Sequence, residues 1–319
     1  KFFSTMLKHH RPYKNPFMKR KLMPLSQTLN NKRVVITGAS MGIGAAVAYQ
    51  LAAVGASVLI NSSGKQSGLL QRVAEDIHAR GGHVDYSYGD VSDWNYAGDL
   101  IEQCVDRYGG VDAVINLAGI AEPEQSSLLT ILPKQWRRVI DVHLNGTFNT
   151  CHHAAPLMVK QGHGTIINTG SHAFLGSYGG TAYAAAKGAI NSFSVAVAKD
   201  LFADNVRCNV VLPGAKTRLS SGEVFKRNML SLHQRGLLNE QRLKSAMDAA
   251  PPENIAPIYS FLISDRADMI TGQLLSCSGK HLGGFDAPAE EILCYRESLE
   301  DGPWSEDAVE EVFKRFFNS

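Results

Sequence analysis

From Arg33 onward, short apolar runs alternate with longer helical stretches, and this alternation restricts the fold more than any other feature of the chain. Val34-Val35-Ile36 leads directly into Thr37-Gly38-Ala39-Ser40-Met41-Gly42-Ile43-Gly44, and an Ala-rich helical stretch continues to Val54. Further strands are expected at Ser57 to Asn61, His83 to Tyr88, Ala113 to Asn116, Thr165 to Thr169, Val206 to Leu212 and Gln273 to Cys277. Helices fill the intervals near Gln66–Arg80, up to Tyr108, from about Pro133, and from about Thr181 to Phe202. Short apolar strands separated by helices imply a parallel sheet covered on both faces. Right-handed crossovers then make a doubly wound α/β sheet of about seven strands the economical topology.

Residues 215–250 break the rhythm. Val224, Phe225, Met229, Leu232, Leu237, Leu238, Leu243 and Met247 recur at helical spacing where a strand was due. An amphipathic insertion at the carboxyl end of a strand is placed to cover a ligand crevice, so 215–250 reads as a helical lid. After Gly284 the chain reads as an acidic extension, 284–319, with one amphipathic helix from Ser305 to Phe316.

The 319 residues carry a formal charge of only +2, but the charge is unevenly placed. Residues 1–33 hold nine Lys or Arg, no acid precedes Glu75, and residues 286–311 hold ten acids against Arg296. Residues 1–30 therefore read as a basic leader, disordered or added to the natural chain, with organellar targeting as the alternative; Pro12, Pro16 and Pro24 interrupt any helix there. The catalytic domain is expected over 31–283. The five cysteines are widely spaced without a C-x-x-C pair, which argues against a disulfide framework or a metal site and for a reducing, cytoplasmic setting. No apolar run of membrane-spanning length occurs, and nothing in the charge pattern points to nucleic acid.

Glycines allow backbone to approach a phosphate closely, and the amino end of the next helix offers free N–H groups to an anion. Gly38, Gly42 and Gly44 supply this between a strand and a helix, the context of a nucleotide site. A carboxylate ending the second strand would bind the ribose hydroxyls of NAD and repel a 2′-phosphate. Here the strand ends Asn61-Ser62-Ser63-Gly64-Lys65, so NADP(H) is favoured and NAD(H) remains possible. Tyr183 and Lys187 share one helix face at i,i+4, and a nearby ammonium favours phenolate. Ser171, twelve residues before Tyr183 at the end of a strand, could meet the phenol at one carbonyl.

These pieces together resemble the short-chain dehydrogenase/reductase family. TGASMGIG at 37–44, Asp90-Val91, NLAG at 116–119, Ser171, YAAAK at 183–187 and Pro213-Gly214 with Thr217 occur in order across about 250 residues. The resemblance implies a single Rossmann-like domain, usually a homodimer or homotetramer built through helices that include the one carrying Tyr183. It implies that Ser171 polarises the substrate carbonyl, Tyr183 acts as acid or base, and Lys187 binds the nicotinamide ribose while lowering the Tyr183 pKa. Cofactor contacts are implied for Gly38, Ser40, Met41, Gly42, Ile43 and Gly44 in the turn, and for Asp90, with Val91, at the adenine. Asn116, Ala118 and Gly119 would line the cofactor, and Pro213, Gly214 and Thr217 would hold the carboxamide end. Three departures stand out. NLAG replaces NNAG, the Ser171–Tyr183 interval is one residue short, and His143 stands where the family's proton-relay Asn usually sits, so a relay through His143 is an expectation.

The VHLxG pattern at 142–146, the PGAKTRL segment at 213–219, the IAPIYSFL helix from Ile255 and the W-S-x-D-A-V-x-x-x-F tail resemble one branch of the family. That branch includes hydroxyacyl-CoA dehydrogenase domains of peroxisomal multifunctional β-oxidation proteins. The expected activity is NAD(P)(H)-dependent interconversion of a secondary alcohol and a ketone, on an extended, hydrophobic small molecule resembling a 3-oxoacyl thioester, a polyketide or a steroid. The rival is a nucleotide-binding sensor or scaffold that kept the fold and lost efficient chemistry, because fold alone does not assign function.

Overall fold

The computed structural model describes residues 28–64, 68–123, 126–176, 180–217, 220–286, 292–295 and 302–317. Lys65, most of the basic leader and two residues of the lid segment, Arg218 and Leu219, lie outside the described residues. Ordered packing begins before residue 31: Leu29 is fully buried and its N–H donates to the Val54 carbonyl at 3.0 Å.

Seven strands pair in parallel: β1 (Arg33–Thr37), β2 (Ser57–Ser62), β3 (His83–Tyr88), β4 (Ala113–Asn116), β5 (Gly164–Thr169), β6 (Val206–Gly214) and β7 (Leu274–Ser278). Their order is β3-β2-β1-β4-β5-β6-β7, with an eighth strand, β8 (Leu282–Phe285), beside β7. The eighth strand was not expected, because Leu-Gly-Gly-Phe carries little strand propensity. It is reached by a three-residue connection in which the Ser278 N–H donates to the His281 carbonyl at 2.9 Å. A link that short suits a reversal of direction, not a parallel crossover.

The side chains of each strand divide between the two faces, as a period of two requires. Val34, Ile36, Ile60 and Ile115 face α1 (Gly42–Ala53), α2 (Leu69–Ala79) and α9 (Ala256–Ile263), in a cluster with Leu51, Leu70, Ile77, Tyr259 and Leu262. Val35, Leu59, Val114 and Ile166 face the other way, against Leu100, Ile101 and Cys104 of α3 (Trp94–Tyr108), Ala154 and Met158 of α5 (Gly146–Gln161), and Ala198 of α6 (Gly180–Asp200). Burial of both faces explains why these strands read as unbroken apolar runs.

The long helix expected from Pro133 is instead two. α4 (Pro133–Ile140) runs into one turn of π-helix at Asp141–Asn145 and then into α5. Such an insertion is common at functional sites, and it carries His143. The described part of 215–250 contains α7 (Gly222–Gln234) and α8 (Glu240–Met247), the next helices in the chain after β6. Met229 and Leu238 of this segment are buried, whereas Leu237 and Met247 are exposed. Phe285–Ser319 forms a separate unit, whose helix α10 (Glu306–Phe317) is capped by Ser305 Oγ accepting from the Ala308 N–H at 3.2 Å.

Candidate active site

The strand order reverses between β1 and β4, and in an open parallel sheet the crevice outside that point is where ligands bind. The turn from β1 into α1 is made of backbone at very close quarters. Gly38 has φ +69°, and a Cβ there would lie 2.7 Å from the Ala118 backbone; a Cβ on Gly44 would lie 2.3 Å from the Gly38 carbonyl oxygen. Met41 precedes α1 with extended backbone and provides no side-chain cap, which leaves the first N–H groups of the helix without that partner. Thr37 Oγ1 accepts from the backbone N–H groups of Leu117 and Ala118, both at 3.1 Å, and joins this turn to the NLAG loop. The Ala39 N–H donates to the Asn61 carbonyl at 2.8 Å and joins it to β2. Thr217 lies across the turn, its methyl 3.6 Å from where a Gly42 Cβ would be, and its hydroxyl is 2.9 Å from Ser220 Oγ.

The neighbouring side chains follow the same edge. Ser62, buried, ends β2, and Ser63 follows it exposed. Ser40 lies within the turn, and Ile43, in the first turn of α1, packs against the core. Val91 is buried, which leaves only its backbone to a ligand. Pro213 and Gly214 close β6, where Gly214 pairs with Ser278. Asn116, expected beside the cofactor, turns its amide into the sheet instead. Its Nδ2 donates to Asn168 Oδ1 at 2.9 Å, its Oδ1 accepts from Thr150 Oγ1 at 2.7 Å, and Asn168 in turn donates to Ser194 Oγ at 2.9 Å. Asn116 thus braces β4 to β5 through a buried polar network, while Leu117, partly buried, packs against the apolar core.

Tyr183, Lys187, Ser171 and His143 converge. Lys187, 3% exposed, donates through Nζ to the Thr169 carbonyl at 2.6 Å and lies 5.6 Å from the centre of the Tyr183 ring. His143 meets that ring edge-on at 5.0 Å between centres. The Ser171 hydroxyl lies near enough to the Tyr183 phenol to act on its ionisation, so the shortened interval still leaves the serine in reach. His143 Nε2 is held by Ile120: it donates to the carbonyl at 2.8 Å in one tautomer and accepts from the N–H at 3.1 Å in the other. Gly119 makes room for this, since a Cβ there would lie 2.5 Å from the imidazole.

Burial governs the electrostatics. It pushes the Lys187 ammonium down to about 7 and raises the Tyr183 phenol above its usual range, against the lowering effect of the Ser171 hydrogen bond. Proximity to a lysine was expected to favour phenolate, but with both groups out of water the desolvation of each charge wins in the resting protein. Burial, helped by the Lys187 charge, pushes His143 down to about 3. The imidazole is therefore neutral at physiological pH, with Nδ1 buried and without a partner among the described residues.

The sequence matches the family model for short chain dehydrogenases over residues 32–224. It is 30% identical over 258 residues to a 3-oxoacyl-(acyl-carrier-protein) reductase of Thermotoga maritima, which covers 79% of this chain and 98% of that protein. It is 32% identical over 260 residues to a cyclohexanol dehydrogenase of an Acinetobacter species, covering 81% and 97% respectively. The chain belongs to the short chain dehydrogenases. A solved short chain dehydrogenase from Mycobacterium avium superposes with a TM-score of 0.74 at 28% identity, covering 91% of this chain and 96% of that one. The protein is accordingly an oxidoreductase acting on CH–OH groups with NAD(P) as acceptor.

The crevice of this short chain dehydrogenase fits a dinucleotide on its own geometry. Gly38 and Gly44 leave a cradle that any side chain would fill, and the uncapped start of α1 suits a pyrophosphate. One residue of the site had no signal in the sequence motifs. The Glu122 carboxylate accepts from the Tyr183 N–H at 2.5 Å, the Ala182 N–H at 3.3 Å and Ser126 Oγ at 2.8 Å. It caps the helix that carries Tyr183, and a Cβ on Gly180 would lie 2.4 Å from its carboxyl carbon. Only contact across 61 positions reveals it.

Proposed function

We propose that the protein reduces an extended, hydrophobic ketone of the 3-oxoacyl-thioester, polyketide or steroid kind, with NADP(H) as the favoured cofactor and Tyr183 as proton donor. The observation that carries this reading is the convergence of the Ser171 hydroxyl, the Tyr183 phenol and the Lys187 ammonium at the carboxyl edge of β5. A nicotinamide cofactor, when bound, supplies the hydride.

The chain's own groups handle charge and proton. Ser171 donates a hydrogen bond to the carbonyl oxygen as negative charge develops there. Tyr183 retains its proton at neutral pH because burial opposes the phenolate, which is the state a donor needs. Once the proton has passed to the alkoxide, the phenolate left behind and a protonated Lys187 relieve one another's desolvation, so the two titrate as a coupled pair. His143, neutral, cannot be the proton source; its unpartnered Nδ1 is suited to hold a water beside Lys187.

The lid helices α7 and α8 follow from β6 and expose Met247, in keeping with an apolar substrate, and the catalytic domain is taken as 31–283. The absence of a carboxylate at Ser62 favours the 2′-phosphate of NADP(H). Exposed Trp94 and Phe148, stacked with His152 and adjoining Phe193 on α3, α5 and α6, suit self-association into a homodimer or homotetramer. The wild-type protein is expected to oxidise NADPH in the presence of acetoacetyl-CoA or a cyclic ketone. Tyr183→Phe should lose at least about a thousandfold in kcat, yet bind NADPH within about threefold of wild type by nicotinamide fluorescence. Retained turnover in Tyr183→Phe would overturn the mechanism, and cofactor binding without turnover by the wild type would favour a sensor.

A further inference from the structure

Asp90 is the residue expected at the adenine, and its carboxylate is already held by three donors. Oδ1 accepts from the Ser92 N–H at 3.0 Å and from Ser92 Oγ at 2.7 Å, and Oδ2 accepts from Arg138 Nη2. The same guanidinium reaches Ser92 Oγ through Nη1 at 3.0 Å. Arg138 lies on α4, 48 positions from Asp90, one turn before the π-helical insertion that carries His143. Beyond that insertion Asn149 of α5 donates to the Val91 and Ser92 carbonyls at 3.0 and 3.3 Å, and Gly146 lies flat against Val91. The strip Asp90–Ser92 is thus fastened to the α4–α5 helix on both sides of His143, by a side-chain clamp at Arg138 and a backbone clamp at Asn149.

We propose that Arg138 is a positioning residue for the cofactor: by bridging Asp90 and Ser92 it fixes the carboxylate so that one acceptor site on Oδ2 is left for the exocyclic amino group of adenine. The inference rests on the reading of Asp90 as an adenine residue. A carboxylate has about four acceptor positions, and three are occupied by protein donors. Arg is suited to the task because its planar fork fixes two partners at once, which a lysine ammonium on a flexible stem does not. Burial and the two partners Ser92 and Arg138 act on the same carboxylate, and the donors prevail, so Asp90 stays ionised and acceptor-only.

The decisive probe is a cofactor whose base lacks the amino group. In reduced nicotinamide hypoxanthine dinucleotide phosphate a carbonyl oxygen replaces it, and an acceptor there faces the Asp90 oxygen. Dissociation constants of NADPH and of this analogue are measured by nicotinamide fluorescence for wild type, Arg138→Ala and Asn149→Ala. The wild type is expected to prefer NADPH by tenfold or more. Arg138→Ala should reduce that preference to less than threefold, chiefly by weakening NADPH. Asn149→Ala, which loosens the backbone of the strip and leaves the Asp90 carboxylate held, should weaken both ligands by a similar factor and keep the preference. If Arg138→Ala does not fold, Arg138→Lys takes its place with the same expected loss. A wild type that binds the two ligands equally overturns the Asp90 reading and the proposal with it. A wild type that discriminates, alongside an Arg138 variant that discriminates equally or loses both ligands in proportion, overturns the role of Arg138 alone.

Discussion

Two parts of the crevice solve opposite problems. On the proposed function, the turn between β1 and α1 takes an anion with backbone, through close-packed glycines and a helix start that Met41 does not cap. On the same proposal, the Tyr183 site handles a proton with side chains taken out of water, where burial lowers Lys187 to about 7 and raises Tyr183. The first is a matter of local geometry and the second of distant neighbours. The two should therefore fail in different ways when altered.

The largest failure is expected in the turn. A Gly44 Cβ would stand 2.3 Å from the Gly38 carbonyl oxygen and 2.8 Å from the Ala39 Cα, both backbone atoms that cannot rotate away. Gly44→Val should cost at least about 1–3 kcal/mol of stability through overpacking and weaken NADPH binding by more than about a hundredfold. Melting temperature with and without NADPH reads both effects. Tight binding by a folded Gly44→Val would show that the anion sits elsewhere.

A smaller effect is expected at the proton site, where no backbone needs to move. Glu122→Ala removes the acceptor of the Tyr183 and Ala182 N–H groups and should cost about 1–2 kcal/mol, as the loss of a helix cap does. Because the freed first turn carries Tyr183, kcat should fall about tenfold, near 1.4 kcal/mol of barrier, with little change in KM for NADPH. Glu122→Gln retains an acceptor oxygen and should recover most of the rate. Steady-state kinetics of the two variants decide this, and an unchanged kcat in Glu122→Ala would separate the cap from catalysis.

The same division explains what could be read from the sequence. Constraints on backbone leave a mark in the chain itself: Gly38 and Gly44 are where they are because no other residue fits, and unbroken runs such as Val34-Val35-Ile36 report two covered faces. Tyr183, Lys187 and Ser171 were legible because a helix turn and a strand end set their spacing. The π-helical turn at Asp141–Asn145 has no such mark, since its residues would suit an ordinary helix, and β8 contains two glycines where strand formers would be expected. The direction of the Asn116 amide was not legible, because a buried amide is directed by partners on other strands and helices, here Asn168 and Thr150. Glu122 and Arg138 act over 61 and 48 positions, and periodicity carries no information at that range.

The subtlest prediction concerns Lys187 as a store of unfavourable charge. Its folded pKa, about 7, lies below the ordinary 10.5 that the unfolded chain retains. Below pH 7 both states hold the proton, and the native state bears the whole cost of burying it. Between pH 7 and about 10 the unfolded chain binds more protons than the native one, so stability rises with pH, by about 1 kcal/mol per unit. Above about 10 the raised Tyr183 pKa acts in the other direction, because the unfolded phenol ionises first. Lys187→Met keeps the packing and removes the titration. Urea denaturation of cofactor-free protein at pH 7, 8 and 9 should show wild type gaining on Lys187→Met by about a factor of five in the folding constant per pH unit. Parallel pH profiles would mean that Lys187 remains fully charged in the folded protein, with the Thr169 carbonyl compensating its burial, and the contrast between a backbone site and a desolvated one would lose its electrostatic half.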